Sequence, residues 1–90
     1  MTMTAIVAML TAIAGVSVHV DGTAVHVYAE DYILTDDWTE VAGALDEDAF
    51  DEVEEMMEQS AVSVSGDSYA GMVYDFGDFS VEVQYSSADV

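Results

Sequence analysis

The chain has 90 residues, of which 19 are Asp or Glu and none is Lys or Arg, so its formal net charge is −19 when both His are neutral. At average usage roughly ten basic residues would be expected at this length, and a chance absence of all of them has a probability on the order of 10⁻⁵. Without Lys and Arg the chain cannot neutralise phosphates, which excludes direct binding to nucleic acid or to an anionic membrane surface. P-loop, arginine-clamp and Schiff-base lysine chemistry are excluded for the same reason.

The rest of the composition indicates a folded protein. Disorder combines high charge with low hydrophobicity, whereas 52% of these residues are hydrophobic and the mean hydropathy is +0.28. We therefore expect a single domain over residues 1–90. The chain has no Cys, so a disulfide framework, a zinc-thiolate site and a thiol nucleophile are excluded. The apolar N-terminal run lacks the positive segment of a signal peptide and is too short to span a bilayer, which predicts a cytoplasmic protein.

The first predicted element is a helix over residues 3–14, with a buried strand as the alternative. Its apolar residues recur at i, i+3, i+4 and i+7 spacing: Ile6, Met9, Leu10 and Ile13. Gly15 is expected at the C′ position that follows the helix.

A hairpin is predicted next, because Asp21-Gly22 separates two alternating runs, Val16–Val20 and Thr23–Tyr28. A two-residue loop at Asp21-Gly22 would pair Val18 with Val25 and Val16 with Val27, so that the valines share one face. The two His are then expected on the other face as diagonal neighbours: His19 and His26.

Two helices are predicted between residues 35 and 59. The first has Thr35 or Asp36 as its cap and is weakened near its end by Gly43; its apolar stripe is Trp38, Val41, Ala42 and Leu45. The second begins at Asp46, and its stripe is Ala49, Phe50, Val53, Met56 and Met57. Leu45 and Phe50 are spaced as a hydrophobic staple. Core packing is the expected role of the Met and Phe residues at these spacings.

The C-terminal third predicts a three-stranded meander over residues 61–65, 69–76 and 79–85, with turns at Gly66-Asp67-Ser68 and Gly77-Asp78. The predicted pairs are Val62 with Met72 in the first hairpin and Phe76–Phe79, Tyr74–Val81 and Met72–Val83 in the second. The fold class is therefore α+β, with an antiparallel sheet of about five strands, two to three helices and the order α-ββ-αα-βββ.

The acids are concentrated in one part of the chain. Residues 1–20 contain none, and thirteen of the nineteen lie within residues 30–58. On a helix, one side would carry Asp48, Asp51, Glu52 and Glu55 at i, i+3, i+4 and i+7. An ordinary solvated helix face is the alternative for such a run, but such faces commonly include Lys at i+4, and here there is none.

A rigid surface studded with carboxylates can present a charge comparable to that of duplex DNA, which carries one negative charge per roughly 1.7 Å of axis. In size and acidity the chain resembles the phage-encoded DNA-mimic inhibitors: anti-restriction proteins, anti-CRISPR proteins and uracil-glycosylase inhibitors. The resemblance covers the whole chain as composition, without a motif, and is densest from Glu30 to Glu58.

The resemblance implies a stoichiometric inhibitor that binds a basic nucleic-acid-binding protein or complex of a host defence system, anti-CRISPR ahead of anti-restriction. The partner-binding residues it implies are Glu30, Asp31, Asp36, Asp37, Glu40, Asp46, Glu47, Asp48, Asp51, Glu52, Glu54, Glu55 and Glu58. Exposed aromatic residues that could add contacts are Tyr28, Tyr32 and Tyr69. The apolar first helix is unusual for a pure mimic and leaves a homodimer through that segment open.

Catalysis and cofactor binding are not expected. The two His lack a metal-ligand spacing. The Asp46-Glu47-Asp48 run fails the EF-hand pattern, because Asp51 occupies the position that requires Gly. Paired carboxylates as in glycosidases occur in any acidic protein, and a domain this small has little room for a substrate cleft. Two further hypotheses remain beside the mimic: an acidic structural protein from a high-salt organism, and an antitoxin or immunity-type partner of a basic protein.

Overall fold

The computed structural model describes residues 2–30, 45–67 and 71–86. Within these ranges a five-stranded sheet of order β1-β2-β5-β4-β3 packs against two helices. The helices are α1 (Met3–Thr11) and α2 (Glu47–Ser60), and the strands are β1 (Val16–Asp21), β2 (Ala24–Glu30), β3 (Ser63–Asp67), β4 (Gly71–Asp75) and β5 (Ser80–Ser86). The α+β prediction is confirmed. The predicted helix over residues 35–45 falls almost wholly outside the described residues.

The expected all-antiparallel sheet is wrong at its centre. The pairs β1–β2, β3–β4 and β4–β5 are antiparallel, but β2 and β5 run parallel. Hairpin turns fix direction only between strands that are adjacent in sequence, and parallel neighbours require a long crossover. Here the connection from β2 to β5 passes through α2 and two further strands, so the packing of those elements sets the direction.

The core lies between one face of the sheet and the two helices. Val25, Val27 and Ala29 of β2 and Val81 and Val83 of β5 are at most 1% exposed. The helices contribute Ile6, Leu10, Phe50, Val53 and Met57 to the same cluster. The strand residues between the buried ones are exposed or half-buried, which is the alternation of a sheet covered on one face.

The first helix is shorter than predicted. It is capped by Thr2, whose hydroxyl accepts the Ala5 N–H at 3.2 Å, and it ends at Thr11. Ile13 then donates its N–H to the Leu10 carbonyl at 3.1 Å, an i→i−3 bond that tightens the last turn. Gly15 is therefore not at C′. Its φ of +83° places it in the turn that leads into β1.

The first hairpin keeps its predicted faces but not its register. Val18 pairs with Val27 and Val16 with Ala29, two residues away from the prediction, and Asp21 pairs with Ala24. The loop therefore starts at Gly22, whose φ of +62° is the left-handed value that two-residue hairpin loops require at their first position. A shift of two residues preserves alternation, so the side chains stay on their predicted sides of the sheet.

The meander follows its prediction in one hairpin only. Tyr74–Val81 and Met72–Val83 pair as predicted, and the Phe76 and Phe79 rings stack with centroids 4.8 Å apart. In the other hairpin Gly66, not Val62, faces Met72, and the strand continues through the predicted turn residue Asp67. Val62 lies outside β3 and is 77% exposed. The predicted turn residues Gly66 and Asp67 therefore lie in β3 and pair with β4, while Ser68 lies outside the described residues.

Two matched substitutions test this burial pattern. Val81→Ala should lower the free energy of unfolding by about 2–3 kcal/mol, because it removes fully buried methyl groups and leaves a cavity. Val62→Ala, the same change at a position that is 77% exposed, should alter it by less than about 0.5 kcal/mol. Urea unfolding followed by circular dichroism measures both. Equal effects would contradict the placement of β3.

Candidate functional site

The helix α2 carries the acidic segment and begins as the sequence predicts. Asp46 is its N-cap, and Oδ1 of that residue accepts the Ala49 N–H at 3.2 Å. Glu47 and Asp48 occupy the first turn, where negative charge interacts favourably with the helix dipole. These terms favour the helix locally even though its carboxylates repel one another.

Apolar packing holds this helix against the sheet. Phe50, Val53 and Met57 are between 0% and 9% exposed. Leu45 and Phe50 occupy the N′ and N4 positions of a hydrophobic staple, as predicted. The Tyr74 hydroxyl on β4 also donates a hydrogen bond to Glu54 Oε2 at 2.9 Å. The carboxylates on the opposite side of α2 therefore belong to a helix that packing and a hydrogen bond hold against the sheet.

The outward side of α2 is a continuous acidic face. We define this acidic face by its exposed carboxylates, Glu47, Asp48, Asp51, Glu52, Glu55 and Glu58. Neighbours at i+3 and i+4 lie about 5–6 Å apart at Cβ. Gln59 donates a hydrogen bond of 3.4 Å to Glu55 Oε1, but the chain supplies no Lys or Arg to pair with any of these groups.

The density of charge along α2 is more than half that of duplex DNA. The helix contains seven carboxylates in 14 residues, and at a rise of 1.5 Å per residue this is about one per 3 Å of helix axis. Duplex DNA carries one negative charge per roughly 1.7 Å. A cationic surface that approaches α2 would therefore experience a strong attraction along the length of the helix.

The predicted partner-binding residues divide into four groups. Asp46 and the acidic face lie together on α2, with Asp46 engaged as the cap. Glu54 turns toward β4 and is half-buried, so it stands apart from the acidic face. Glu30 is the last residue of β2, and the others lie outside the described residues: Asp31, Asp36, Asp37 and Glu40.

The described residues include only one of the three aromatic residues predicted to be exposed, and they do not test the predicted homodimer. Tyr28 is 46% exposed on the sheet face that the helices leave open, whereas Tyr32 and Tyr69 lie outside the described residues. The homodimer through α1 remains a prediction. Ile6 and Leu10 are fully buried in the protein's own core, so α1 presents mainly Thr and Ala side chains outward.

The two His lie on the open sheet face and are direct partners, not diagonal neighbours. His19 pairs with His26, with ring centroids 6.5 Å apart, and His26 Nδ1 lies 3.4 Å from Glu82 Oε2 on β5. Glu82 could not be associated with His26 from sequence, because that neighbour relation depends on the parallel β2–β5 pairing. Within residues 2–30, 45–67 and 71–86, no group of three or more His, Asp or Glu is arranged to hold a metal ion.

Met56 does not have the core position that its spacing predicts. It is half-buried and lines a groove between α1 and α2 together with Met9. Sequence periodicity placed both residues on apolar stripes, but only the relative position of the two helices shows that these side chains border open space.

Comparison of the chain with protein-family models, with curated proteins and with solved structures finds no match. Neither helix in the described ranges has the length and apolar composition needed to cross a bilayer.

Repulsion within the acidic face can be measured at its centre. Glu55 has carboxylates at i−4, i−3 and i+3, namely Asp51, Glu52 and Glu58. At 0.02 M NaCl, stability should increase from wild type to Glu55→Gln and again to Glu55→Lys. Each relieved like-charge pair, and each new opposite-charge pair, contributes on the order of 0.2–0.5 kcal/mol.

Urea unfolding at 0.02 M and 1 M NaCl measures this series. At 1 M the Debye length is about 3 Å, so the three proteins should become similar in stability. An order that is unchanged by salt would show that the substitutions act through packing or helix propensity rather than charge.

Proposed function

We propose that the protein is an acidic DNA-mimic inhibitor that binds and blocks the nucleic-acid-binding surface of a host defence complex in the host cytoplasm. A CRISPR effector is the favoured target, ahead of a restriction enzyme. The observation that carries the proposal is the acidic face: a row of exposed carboxylates on a firmly packed helix, in a chain without one Lys or Arg.

Electrostatics explains how such a surface would act. Most of the affinity of a DNA-binding groove for non-specific DNA comes from Lys and Arg that contact phosphates and release counterions. A row of closely spaced carboxylates can engage the same side chains without supplying any bases, because phosphate contacts position the ligand and carry no sequence information. The field of a chain with a net charge of −19 would also accelerate encounter with a basic target.

The absence of every basic residue supports this function over the halophilic structural protein. Adaptation to high salt favours acidic surfaces but does not require that Lys and Arg be lost completely. An antitoxin or immunity-type partner of a basic protein would use the same attraction on a different target. For a phosphate mimic, each positive charge on the surface would weaken the imitated field.

A matched pair of triple variants tests whether the acidic face is the inhibitory surface. Asp48→Asn, Glu52→Gln and Glu55→Gln together should leave the fold intact and weaken inhibition at least tenfold. The control is Asp21→Asn, Asp78→Asn and Glu82→Gln, which removes the same number of charges from the strands and turns. It should weaken inhibition less than threefold, because only long-range attraction is reduced.

Competition with labelled duplex DNA for purified guide-loaded CRISPR effectors and restriction enzymes provides the measurement. Equal losses from the two triple variants would show that net charge matters and that α2 is not the contact surface. If the wild-type protein displaces DNA from none of these complexes, the mimic function is contradicted.

Salt should act on folding and on binding in opposite directions. Screening reduces self-repulsion, so the free energy of unfolding should increase with ionic strength, while the affinity for the target should fall steeply. The protein should already be folded at 0.15 M NaCl, which circular dichroism and urea unfolding can verify. A chain that folds only in molar salt would instead favour the halophilic structural protein.

A further inference from the structure

An apolar groove of about 380 Å³ separates α1 from α2. Its lining residues are Met9, Ala12, Ile13, Asp46, Ala49, Glu52, Val53 and Met56. The groove starts where the helices are tied together: the Asp46 N–H donates to the Ala14 carbonyl at 3.0 Å, joining the start of α2 to the turn after α1. It therefore lies between the end of α1, with the two residues that follow it, and the part of α2 from its cap to Met56.

The walls of this groove suit an apolar side chain. Ile13 and Val53 are at most 9% exposed and form its floor, and Ala49 is too small to fill the space above them. Met9 and Met56 are half-buried on opposite sides. Unbranched Met side chains adapt to differently shaped partners, which is why they are frequent at adaptable binding surfaces. The volume lies at the lower end of the range of ligand pockets.

The edge of the groove is negative. Asp46 and Glu52 are exposed carboxylates among its lining residues, and the rest of the acidic face continues from Glu52 along α2. The C-terminus of α1 also lies at this end, and its last turn contains no basic residue to offset the partial negative charge of its carbonyls. The edge of the groove therefore offers separate sites of negative charge to the cations of a basic partner.

We propose that this groove receives an apolar side chain from an amphipathic basic helix of the partner, while neighbouring Lys or Arg of that helix contact Asp46, Glu52 and the acidic face. The inference rests on the proposed function in that the partner is basic. It adds that the partner is recognised by shape at one defined position, in the helix-in-groove manner, and not by charge alone.

Charge complementarity selects this occupant. A second copy of the chain would bring another −19 charges and no cation for the groove edge. A neutral apolar molecule would leave the carboxylates at the edge unpaired. A helix with apolar residues on one side and Lys or Arg on the other supplies an apolar side chain to the floor of the groove and cations to the carboxylates at its edge.

Three synthetic peptides of equal length test the proposal on the wild-type protein. One places Leu at i, i+3, i+4 and i+7 among Lys residues, the second has the same composition with the Leu positions scrambled, and the third is oligolysine. Fluorescence anisotropy at 0.05 M and 0.5 M NaCl, with each peptide at concentrations where it is monomeric, measures affinity. The patterned peptide should bind at least tenfold more tightly than the scrambled one at both salt concentrations.

Methyl NMR locates the contact without any variant. The Met ε-methyl signals of Met9 and Met56 should shift on addition of the patterned peptide. The signal of Met57, which is fully buried beneath α2, should not. Shifts of the same two signals caused by protein concentration alone would identify the groove as a self-association surface and overturn the proposal.

A groove-filling variant adds a direct comparison. Ala49→Phe should reduce the affinity for the patterned peptide to that of the scrambled peptide and leave the affinity for oligolysine unchanged. Ala8→Phe is the control, because Ala8 is exposed on α1 and does not line the groove; it should change neither affinity. Thermal unfolding checks that both variants fold.

The outcomes separate the two proposals. Equal binding of the patterned and scrambled peptides, with no shift at Met9 or Met56, overturns the groove inference and leaves the mimic function standing. Specific binding of the patterned peptide by a protein that never displaces DNA from a defence complex contradicts the mimic function and retains the groove.

Discussion

Repulsion among carboxylates that have no basic partner is the constraint on which the rest of this structure depends. The chain has no Lys or Arg, so no Lys or Arg ion pair can offset the charge on α2. Its folding must rely on burial of apolar side chains and on local helix signals. Asp46 as cap, acids in the first turn, and Phe50, Val53 and Met57 on the inner side provide these. The acids are consequently confined to the surface, and none is buried among the described residues.

The same constraint separates the two sides of the molecule. One sheet face and the inner sides of both helices form a conventional apolar core. The carboxylates on the outer side of α2 are exposed to solvent and take no part in this core. Charge on that face can therefore be exchanged for neutral amides with little effect on folding. Only Glu47 and Asp48 gain from the helix dipole, and the carboxylates further along the acidic face repel one another without a Lys or Arg to offset them. The proposed contact with a basic partner would relieve that repulsion.

Charge and shape contribute differently to the proposed recognition. The acidic face supplies long-range attraction that any cationic surface would experience, so by itself it gives fast association and little selectivity. The groove between α1 and α2 supplies a short-range apolar contact beside the same carboxylates. An inhibitor that must choose one basic complex among many would need both, because attraction by charge alone does not distinguish nucleic-acid-binding proteins from one another.

Within the described residues, the sequence by itself determined the existence of the two helices and five strands, most of their inner and outer faces and the acidic character of α2. Alternation and helical spacing report which side of an element is apolar, and a register error of two residues, as in the first hairpin, leaves that answer unchanged. Tertiary structure decided the parallel β2–β5 pairing, the exposure of Val62, the turn of Glu54 toward Tyr74, the His26–Glu82 contact and the groove beside Met56. Most of these depend on residues far apart in the chain, and their proximity follows from how the strands pair and how the two helices pack on the sheet, which no local pattern encodes.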